Sequence, residues 1–154
     1  MSSCDVDSLD VQEDFWQYSV CIPSVSEVGS KSIDSIIGEL ERRSWNEQDL
    51  FAVRLALDEA VMNAIEHGNQ RDPNKTIKID ANIGVDKARI SVCDEGDGFC
   101  AEDVPDPLAS ENLESPCGRG LFLIRNFMTR VWHNPKGNVI YMEKEHACEQ
   151  TSEA

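Results

Sequence analysis

The stretch LDEAVMNAIEHGN, residues 57–69, carries the pattern that decides the fold of this chain. Glu59, Asn63 and His67 follow one another at intervals of four residues, about one helical turn, so their side chains stack on one helix face. A solvated face would show the same spacing. However, Asn is a mediocre helix former, and small alanines beside the three polar residues leave room for a ligand. The other segments of the chain decide between these two interpretations.

A helix is predicted around this stretch. Asn46 is a suitable N-cap, and Glu47 and Asp49 in the first turn favour the helix dipole. Gly68 is a typical helix end, and the segment NQRDPNK after it is predicted to be a loop. The apolar residues fall on one side of the helix, at Leu50, Val53, Leu57, Val61 and Ile65.

Alternating and helical patterns predict the remaining elements. The predicted strands are residues 15–23, 76–84, 87–96 and a terminal hairpin, and further helices are predicted over residues 24–44 and 118–131. Val85 and Asp86 form the turn of a central hairpin. Strands and helices are partly segregated along the chain, which predicts a two-layer α+β sandwich rather than a doubly wound parallel sheet.

Composition limits the classes of function. The chain has 154 residues and a net charge of −15, with a pI near 4.4. Such a charge disfavours direct binding to nucleic acid or anionic membranes and favours basic protein surfaces. The six cysteines form no CxxC pair, so reduced thiols are expected rather than a zinc site. Without a long apolar run or a secretory signal, the expected location is cytoplasmic.

The predicted organisation is one domain with two tails. Residues 1–13 are acidic, rich in Ser and poor in large apolar groups, so they are predicted to be a flexible tail. The folded domain is predicted over residues 14–145, and residues 146–154 are predicted to be a second flexible tail.

Two glycine-containing segments accompany the polar helix. In DEGDGF, Asp94 follows an apolar strand, and Gly96 and Gly98 let the backbone approach a flat ligand. The carboxylate of Asp94 can accept a hydrogen bond from an exocyclic amine. In GRGL, residues 118–121, glycines near a predicted helix N-terminus suit a phosphate group. Each segment alone is more simply a turn or a loop end.

Together and in this order, EAVMNAIEHGN, DEGDG and GRGL resemble the ATPase superfamily of gyrase, the large heat-shock chaperone, histidine kinases and mismatch-repair ATPases. The segment LALDEAVMNAIEHGN most resembles the corresponding segment of the bacterial anti-sigma-factor serine kinases. The resemblance covers roughly residues 15–144. It implies a Bergerat-type ATP-binding fold, with a mixed, mostly antiparallel sheet covered on one face by helices.

The resemblance also implies roles for the polar helix face, with ATP and Mg²⁺ as cofactors. Asn63 matches the asparagine that holds Mg²⁺ against the phosphates, and an amide oxygen is a hard ligand of the kind Mg²⁺ prefers. Glu59 matches the general base toward the attacking hydroxyl. His67 matches a residue that lines the nucleotide pocket.

In the same way, Asp94 matches the aspartate that binds the adenine amino group, and Gly96 and Gly98 flank the base. Residues 99–117 match the ATP lid. The backbone cradle for the phosphates is matched by Gly118, Arg119, Gly120 and Leu121.

Two departures from the family pattern bear on activity. Asn138 lies at or near the position of a threonine that many members keep beside the adenine, and Asn can still form hydrogen bonds. Between Asp94 and Glu114 there is no Lys or Arg, which leaves Arg119 and Mg²⁺ to neutralise the γ-phosphate. This departure affects the expected catalytic efficiency more than nucleotide binding.

The function implied is that of an ATP-dependent anti-sigma factor and protein serine/threonine kinase. Such a protein binds a sigma factor and phosphorylates an anti-anti-sigma antagonist of the STAS type, and family members usually form homodimers. The alternative is an ATP-binding partner-switching module with little kinase activity. A metabolic ATPase is disfavoured because no sequence element suits a small-molecule acceptor.

Overall fold

The computed structural model describes residues 15–96 and 116–146. Its elements follow the predicted order, and their bounds are β1 Trp16–Pro23, α1 Ser26–Arg42, α2 Glu47–Asn63, a π-helical turn Ala64–Gly68, β2 Thr76–Ile83, β3 Lys87–Cys93, α3 Pro116–Phe127, β4 Arg130–His133 and β5 Val139–Glu145.

The strands form one five-stranded sheet in the order β1-β2-β3-β5-β4. The predicted two-layer α+β class is therefore confirmed. The sheet differs from the expected mixed type, because all four neighbouring pairs among the described strands are antiparallel. Two helices lie between β1 and β2 in the chain, and α3 and β4 lie between β3 and β5. Short turns connect β2 to β3 and β4 to β5, as suits antiparallel neighbours.

Helix α2 begins as its sequence predicts. The side-chain Oδ1 of Asn46 accepts a hydrogen bond from the Asp49 backbone N–H at 2.7 Å, which satisfies one free donor of the first turn. The helix changes character after Asn63, where residues Ala64–Gly68 form a π-helical turn. Periodicity did not predict this turn, which widens the helix where it meets the candidate site.

The core lies between the sheet and the helices. Alternate residues of the central strands point inward, and Ile77, Ile79, Ile83 and Ile90 are almost fully buried there. The helical layer contributes apolar side chains that are almost fully buried, among them Ile33, Ile36 and Leu40 of α1, Val53 and Leu57 of α2 and Ile124 of α3. Burial of this apolar surface is the main stabilising contribution to the fold.

The outer sheet face contains one fully buried carboxylate, Glu143, which is 0% exposed. Its Oε1 accepts a hydrogen bond from Arg130 Nη2 at 2.8 Å, and Arg89 Nη2 lies 3.5 Å away. Lys87 Nζ lies 3.3 Å from Oε2 as an ion pair without hydrogen-bond alignment. Burial raises the pKa of Glu143, but Lys87 and Arg130 together outweigh burial and hold the pKa below its ordinary value. The ion cluster therefore stabilises the charged form.

The described part of the chain continues one residue beyond β5, to His146. His146, the last described residue, stacks on Trp45 with ring centroids 4.8 Å apart, and its Nδ1 lies 2.9 Å from Asp49 Oδ2. The predicted tails otherwise lie outside the described residues, and their flexibility stays a prediction. No helix within residues 15–96 and 116–146 is long and apolar enough to cross a membrane.

Replacement of Glu143 by Gln is expected to lower the free energy of unfolding by about 1–3 kcal/mol at pH 7, because three cations lose their buried counter-charge. A carboxylate with a lowered pKa stabilises the fold above its ordinary pKa, and this contribution is lost as the pH falls through the folded-state pKa. The difference between wild type and Glu143→Gln should therefore shrink in acid. Urea unfolding at pH 7 and pH 4 measures it, with the exposed Glu145→Gln as control. Equal effects of the two substitutions would contradict the role of Glu143.

Candidate functional site

A cavity of about 290 Å³ opens between the helical layer and the inner sheet face. Its walls come from the C-terminal part of α2, the π-helical turn, the end of β3, the start of α3 and the β4–β5 hairpin. The lining residues are Ala60, Asn63, Ala64, His67, Gly68, Gln70, Val92, Asp94, Leu121, His133, Gly137, Asn138 and Ile140. Apolar walls with a few converging polar groups are typical of a small-molecule site.

Four residues predicted from the sequence meet in this cavity. Asn63 and His67 contribute from α2 and the π-helical turn, Asp94 from the end of β3, and Leu121 from α3. Gly96 packs tightly against the π-helical turn. A Cβ on Gly96 would collide with the backbone carbonyl of Gly68. The structure thus brings together segments that lie far apart in the chain.

Glu59 lies beside the cavity and is not among its lining residues. It is half-buried one turn before Asn63, and both side chains face Gly120 of α3. A Cβ on Gly120 would lie 2.9 Å from Glu59 Oε1 and 3.1 Å from Asn63 Nδ2. Only glycine therefore lets α3 approach this pair without displacing it.

Several predicted residues lie outside what the structure describes. Gly98 and most of the predicted lid, residues 99–117, are among them. Gly118 and Arg119 belong to α3, which begins at Pro116, two residues earlier than the sequence predicts. Pro is favoured in the first helical turn, because it needs no N–H partner there.

Asp94 is held by its own turn and by the β4–β5 hairpin. Its Oδ1 accepts the Gly96 N–H at 2.7 Å, while its backbone N–H donates to the Asn138 carbonyl at 3.0 Å. Burial raises the pKa of Asp94, and the Gly96 N–H, Lys136 and Lys75 oppose this effect. Asp94 also lines the cavity.

Asn138 lines the cavity and also forms a hydrogen bond with the backbone of Asp94. Its Nδ2 donates to the Asp94 carbonyl at 3.1 Å, and its Oδ1 accepts a bond from Asn134 Nδ2 at 2.8 Å. The side chain thus joins the β4–β5 hairpin to the end of β3.

Three cavity features were not singled out by sequence reasoning. Asn69 is fully buried directly behind the wall, and Gln70 contributes to the lining with a positive φ of 53°. His133 lines the cavity from β4. The only sequence signal for Asn69 was a polar residue after the helix-ending glycine, and such residues are usually exposed turn positions.

The cavity suits a flat heterocycle with a polar edge. Val92, Ile140 and Leu121 offer apolar contacts, while Asp94 offers an acceptor at the same wall. Among the described residues, no group of three or more acidic, His or Cys side chains is arranged to hold a metal ion by itself. A metal here would rely on Asn63, on phosphate oxygens and on water, which is how Mg²⁺ is commonly bound with nucleotides.

The comparisons with known proteins agree with this geometry. The family model of the histidine kinase-like ATPase domain matches residues 31–144. An anti-sigma F factor of Geobacillus stearothermophilus is 32% identical over 108 residues, which is 67% of this chain and 74% of the relative.

Two relatives from Oceanobacillus iheyensis extend the comparison. An anti-sigma F factor is 27% identical over 140 residues, covering 88% of this chain and 96% of the relative. The serine-protein kinase RsbW is 25% identical over 122 residues, covering 75% of this chain and 77% of the relative.

Gly120→Ala is expected to lower ATP affinity at least about tenfold, because the new methyl group displaces Asn63 and Glu59. Stability should stay constant or rise, since Ala is the better helix former by about 1 kcal/mol and the displaced atoms are ends of flexible side chains. Gly38→Ala in α1 is the matched control, because a Cβ there meets nothing within 4 Å. Calorimetric titration and thermal melting of both variants test this. Unchanged ATP affinity in Gly120→Ala would remove α3 from the site.

His133 should make stability depend on pH below neutrality. Burial, with a smaller contribution from Arg125, lowers the pKa of His133. A lowered histidine pKa means that the fold favours the neutral ring, so this contribution is complete above the ordinary pKa of about 6.5 and is lost as the pH falls toward the folded-state value. The melting temperature of wild type, relative to that of His133→Leu, should therefore decrease as the pH is lowered from 8 to 5.5. A constant difference would show that the ring is not shielded.

Proposed function

The chain belongs to the histidine kinase-like ATPase domain family, and we propose that it is an ATP-dependent anti-sigma factor and protein serine/threonine kinase. In this proposal it binds a sigma factor in the cytoplasm and transfers the γ-phosphoryl group of ATP to a serine or threonine of an anti-anti-sigma antagonist. The names of the relatives, anti-sigma F factor and serine-protein kinase, support this specific branch.

One observation carries the proposal. Asn63, Asp94 and Leu121, from three separate segments, line a single cavity, and Glu59 stands at its side next to Asn63 and Gly120. A nucleotide site needs an apolar pocket for the base, a hydrogen-bonding group at the edge of the base and polar groups that bind the phosphates. The cavity offers these three features in one continuous space.

Asp94 would orient the base. Its carboxylate can accept a hydrogen bond from the six-amino group of adenine, whereas the six-oxo group of guanine would place one acceptor against another. The half-buried setting of Asp94 strengthens this discrimination, because an unpaired buried acceptor is costly. The first turns of α3, which carry Gly118 and Arg119, would direct free backbone N–H groups at the phosphates.

Asn63 would hold a magnesium ion together with the phosphates. When bound, Mg²⁺ neutralises phosphate charge and fixes the geometry of the triphosphate. The amide oxygen of Asn63 fits this task, because it is an uncharged oxygen ligand at the cavity wall beside the N-terminal part of α3. His67, which is exposed on the π-helical turn, would line the same end of the nucleotide site.

Glu59 would act as general base in phosphoryl transfer. The acceptor hydroxyl oxygen forms a bond to the γ-phosphorus while the bond from that phosphorus to the bridging oxygen of ADP breaks. The hydroxyl proton passes to the Glu59 carboxylate, and the electron pair of the broken bond stays on ADP. Glu59 suits this role because it lies one turn from Asn63 without lining the base pocket.

The net charge of −15 indicates what kind of surface the partners present. Opposite charges accelerate association and like charges suppress it, so basic patches on the sigma factor and the antagonist are favoured over acidic ones. A homodimer, which is usual among family members, is part of the proposal.

A second candidate function rests on one feature of the sequence. The predicted lid, residues 99–117, contains no Lys or Arg, so it offers no cation to the γ-phosphate. A chain that binds ATP but transfers phosphate poorly would act as a partner-switching module, in which the nucleotide sets which protein is bound.

Glu59→Gln separates these functions. The substitution keeps size and hydrogen bonding but removes the base, so we expect near-normal ATP affinity, retained sigma-factor binding and phosphorylation slower by about 10²-fold or more. Asn63→Ala should in addition lose Mg²⁺-dependent nucleotide binding. Asp58→Asn is the matched control, because this neighbouring carboxylate faces Arg54 and Asp34 instead of the cavity. The measurements are single-turnover transfer from labelled ATP and a binding titration.

The acceptor for this assay is identified by affinity capture from the native cell with and without ATP and Mg²⁺, followed by mass spectrometry. A wild-type rate in Glu59→Gln would disprove the base assignment. A wild type that binds ATP and its partners but transfers no phosphate would favour the partner-switching module. Failure to bind ATP at millimolar concentration would exclude both functions.

A further inference from the structure

We propose that Asn69 is a positioning residue for nucleotide selection, acting through Asp94 without touching the nucleotide. The inference rests on the proposed function, because it concerns how the same site distinguishes adenine from guanine. Asn69 follows the π-helical turn and is 0% exposed, whereas the cavity lining contains its neighbours Gly68 and Gln70.

All the polar groups of Asn69 have partners. Its backbone N–H donates to the Ala64 carbonyl at 2.8 Å, and its carbonyl accepts the Asp72 N–H at 3.0 Å. The side-chain Nδ2 donates to the Thr76 carbonyl at 3.0 Å and to Ser24 Oγ at 3.3 Å. A buried amide with this complete set of bonds is strongly fixed in orientation.

The remaining bond connects Asn69 to the turn that carries Asp94. Oδ1 of Asn69 accepts the Glu95 N–H at 2.8 Å. The network also fixes the orientation of the amide, because Glu95 N–H can only donate and the Thr76 carbonyl can only accept. Asn69 thus ties the end of the helix to the residue directly after Asp94.

Close packing makes this connection sensitive to small displacements. A Cβ on Gly68 would collide with the Asp94 carboxylate, and a Cβ on Gly96 would collide with the Gly68 carbonyl. The turn after Asp94 therefore rests directly on the backbone next to Asn69. If the amide of Asn69 is removed, Glu95 N–H loses its partner and the turn can move away from Gly68.

Backbone strain beside Asn69 supports a functional role. Gln70 and Arg71 both adopt left-handed conformations, with φ of 53° and 63°, although neither is glycine. Such conformations are unfavourable and persist where surrounding contacts enforce them. Asn69 supplies those contacts on one side, and the bond from the Arg71 N–H to the Ile65 carbonyl at 2.7 Å supplies them on the other.

A double-mutant cycle tests whether Asn69 acts through Asp94. Calorimetry measures the affinities for ATP and GTP of wild type, Asn69→Ala, Asp94→Asn and the double variant, below all melting temperatures. We expect Asn69→Ala to weaken ATP binding about tenfold and GTP binding less than about twofold, so the preference for ATP falls. In the Asp94→Asn background, Asn69→Ala should change ATP affinity less than about twofold, because the contact it aligns is already lost.

A purely structural role would give a different pattern. Ile36→Val, in the buried core of α1, is the control and should lower the melting temperature with an unchanged preference for ATP. Asn69→Ser, which keeps a small polar group in the buried site, replaces Asn69→Ala if that variant does not fold. Equal losses for ATP and GTP, or the same loss of ATP affinity in both backgrounds, would overturn the inference.

The outcome also separates this inference from the proposed function. A wild type that prefers ATP, together with an Asn69→Ala variant of the same preference, would overturn the inference and leave the proposed function standing. A wild type without ATP binding would end both.

Discussion

The contact between the end of the long helix and the end of β3 is the constraint on which the site depends. Gly68 and Gly96 approach so closely that neither position has space for a Cβ, and the Asp94 carboxylate fills the gap between them. Asn69 holds this junction from one side and Asn138 holds it from the other. Three segments that are distant in the chain therefore share one rigid corner, and the cavity opens from that corner.

The charges of the chain are arranged in two different environments. On the outer sheet face, Lys87, Arg89 and Arg130 surround the buried Glu143. On the inner face, Asp94 is the only carboxyl residue among those that line the cavity in the described part of the chain. The outer cations compensate Glu143 and therefore do not serve an anion bound on the other side of the sheet.

This separation has a consequence for the proposed nucleotide site. A protein with a net charge of −15 repels a triphosphate at long range, although salt screens this repulsion over about 10 Å at 0.1 M ionic strength. Local groups must then favour the anion, and in the proposed site this task falls to backbone N–H groups of α3 and to Asn63. The same acidic surface favours basic protein partners, which fits the proposed regulation of a sigma factor.

The sequence by itself determined the fold class and singled out several residues that line the cavity. Apolar periodicity located the three helices and five strands, Asn46 was correctly predicted as a cap, and the spacing of Glu59 and Asn63 placed both on one helix face. These features depend on neighbours within a few residues along the chain, and such local preferences are readable without coordinates. The resemblance to the ATPase superfamily, carried by three motifs, is confirmed by the family match over residues 31–144.

Only the tertiary structure decided the details that arise from contacts between distant segments. Every described strand pair is antiparallel, because the fold sets which strands become neighbours, and the π-helical turn appears where α2 meets the end of β3. Asn69 looked like an exposed loop residue, yet it is fully buried, because its partners Ser24, Thr76 and Glu95 come from other elements. A local sequence pattern contains no information about hydrogen bonds to residues that are distant in the chain. The burial of Asn69 was therefore decided by the tertiary structure alone.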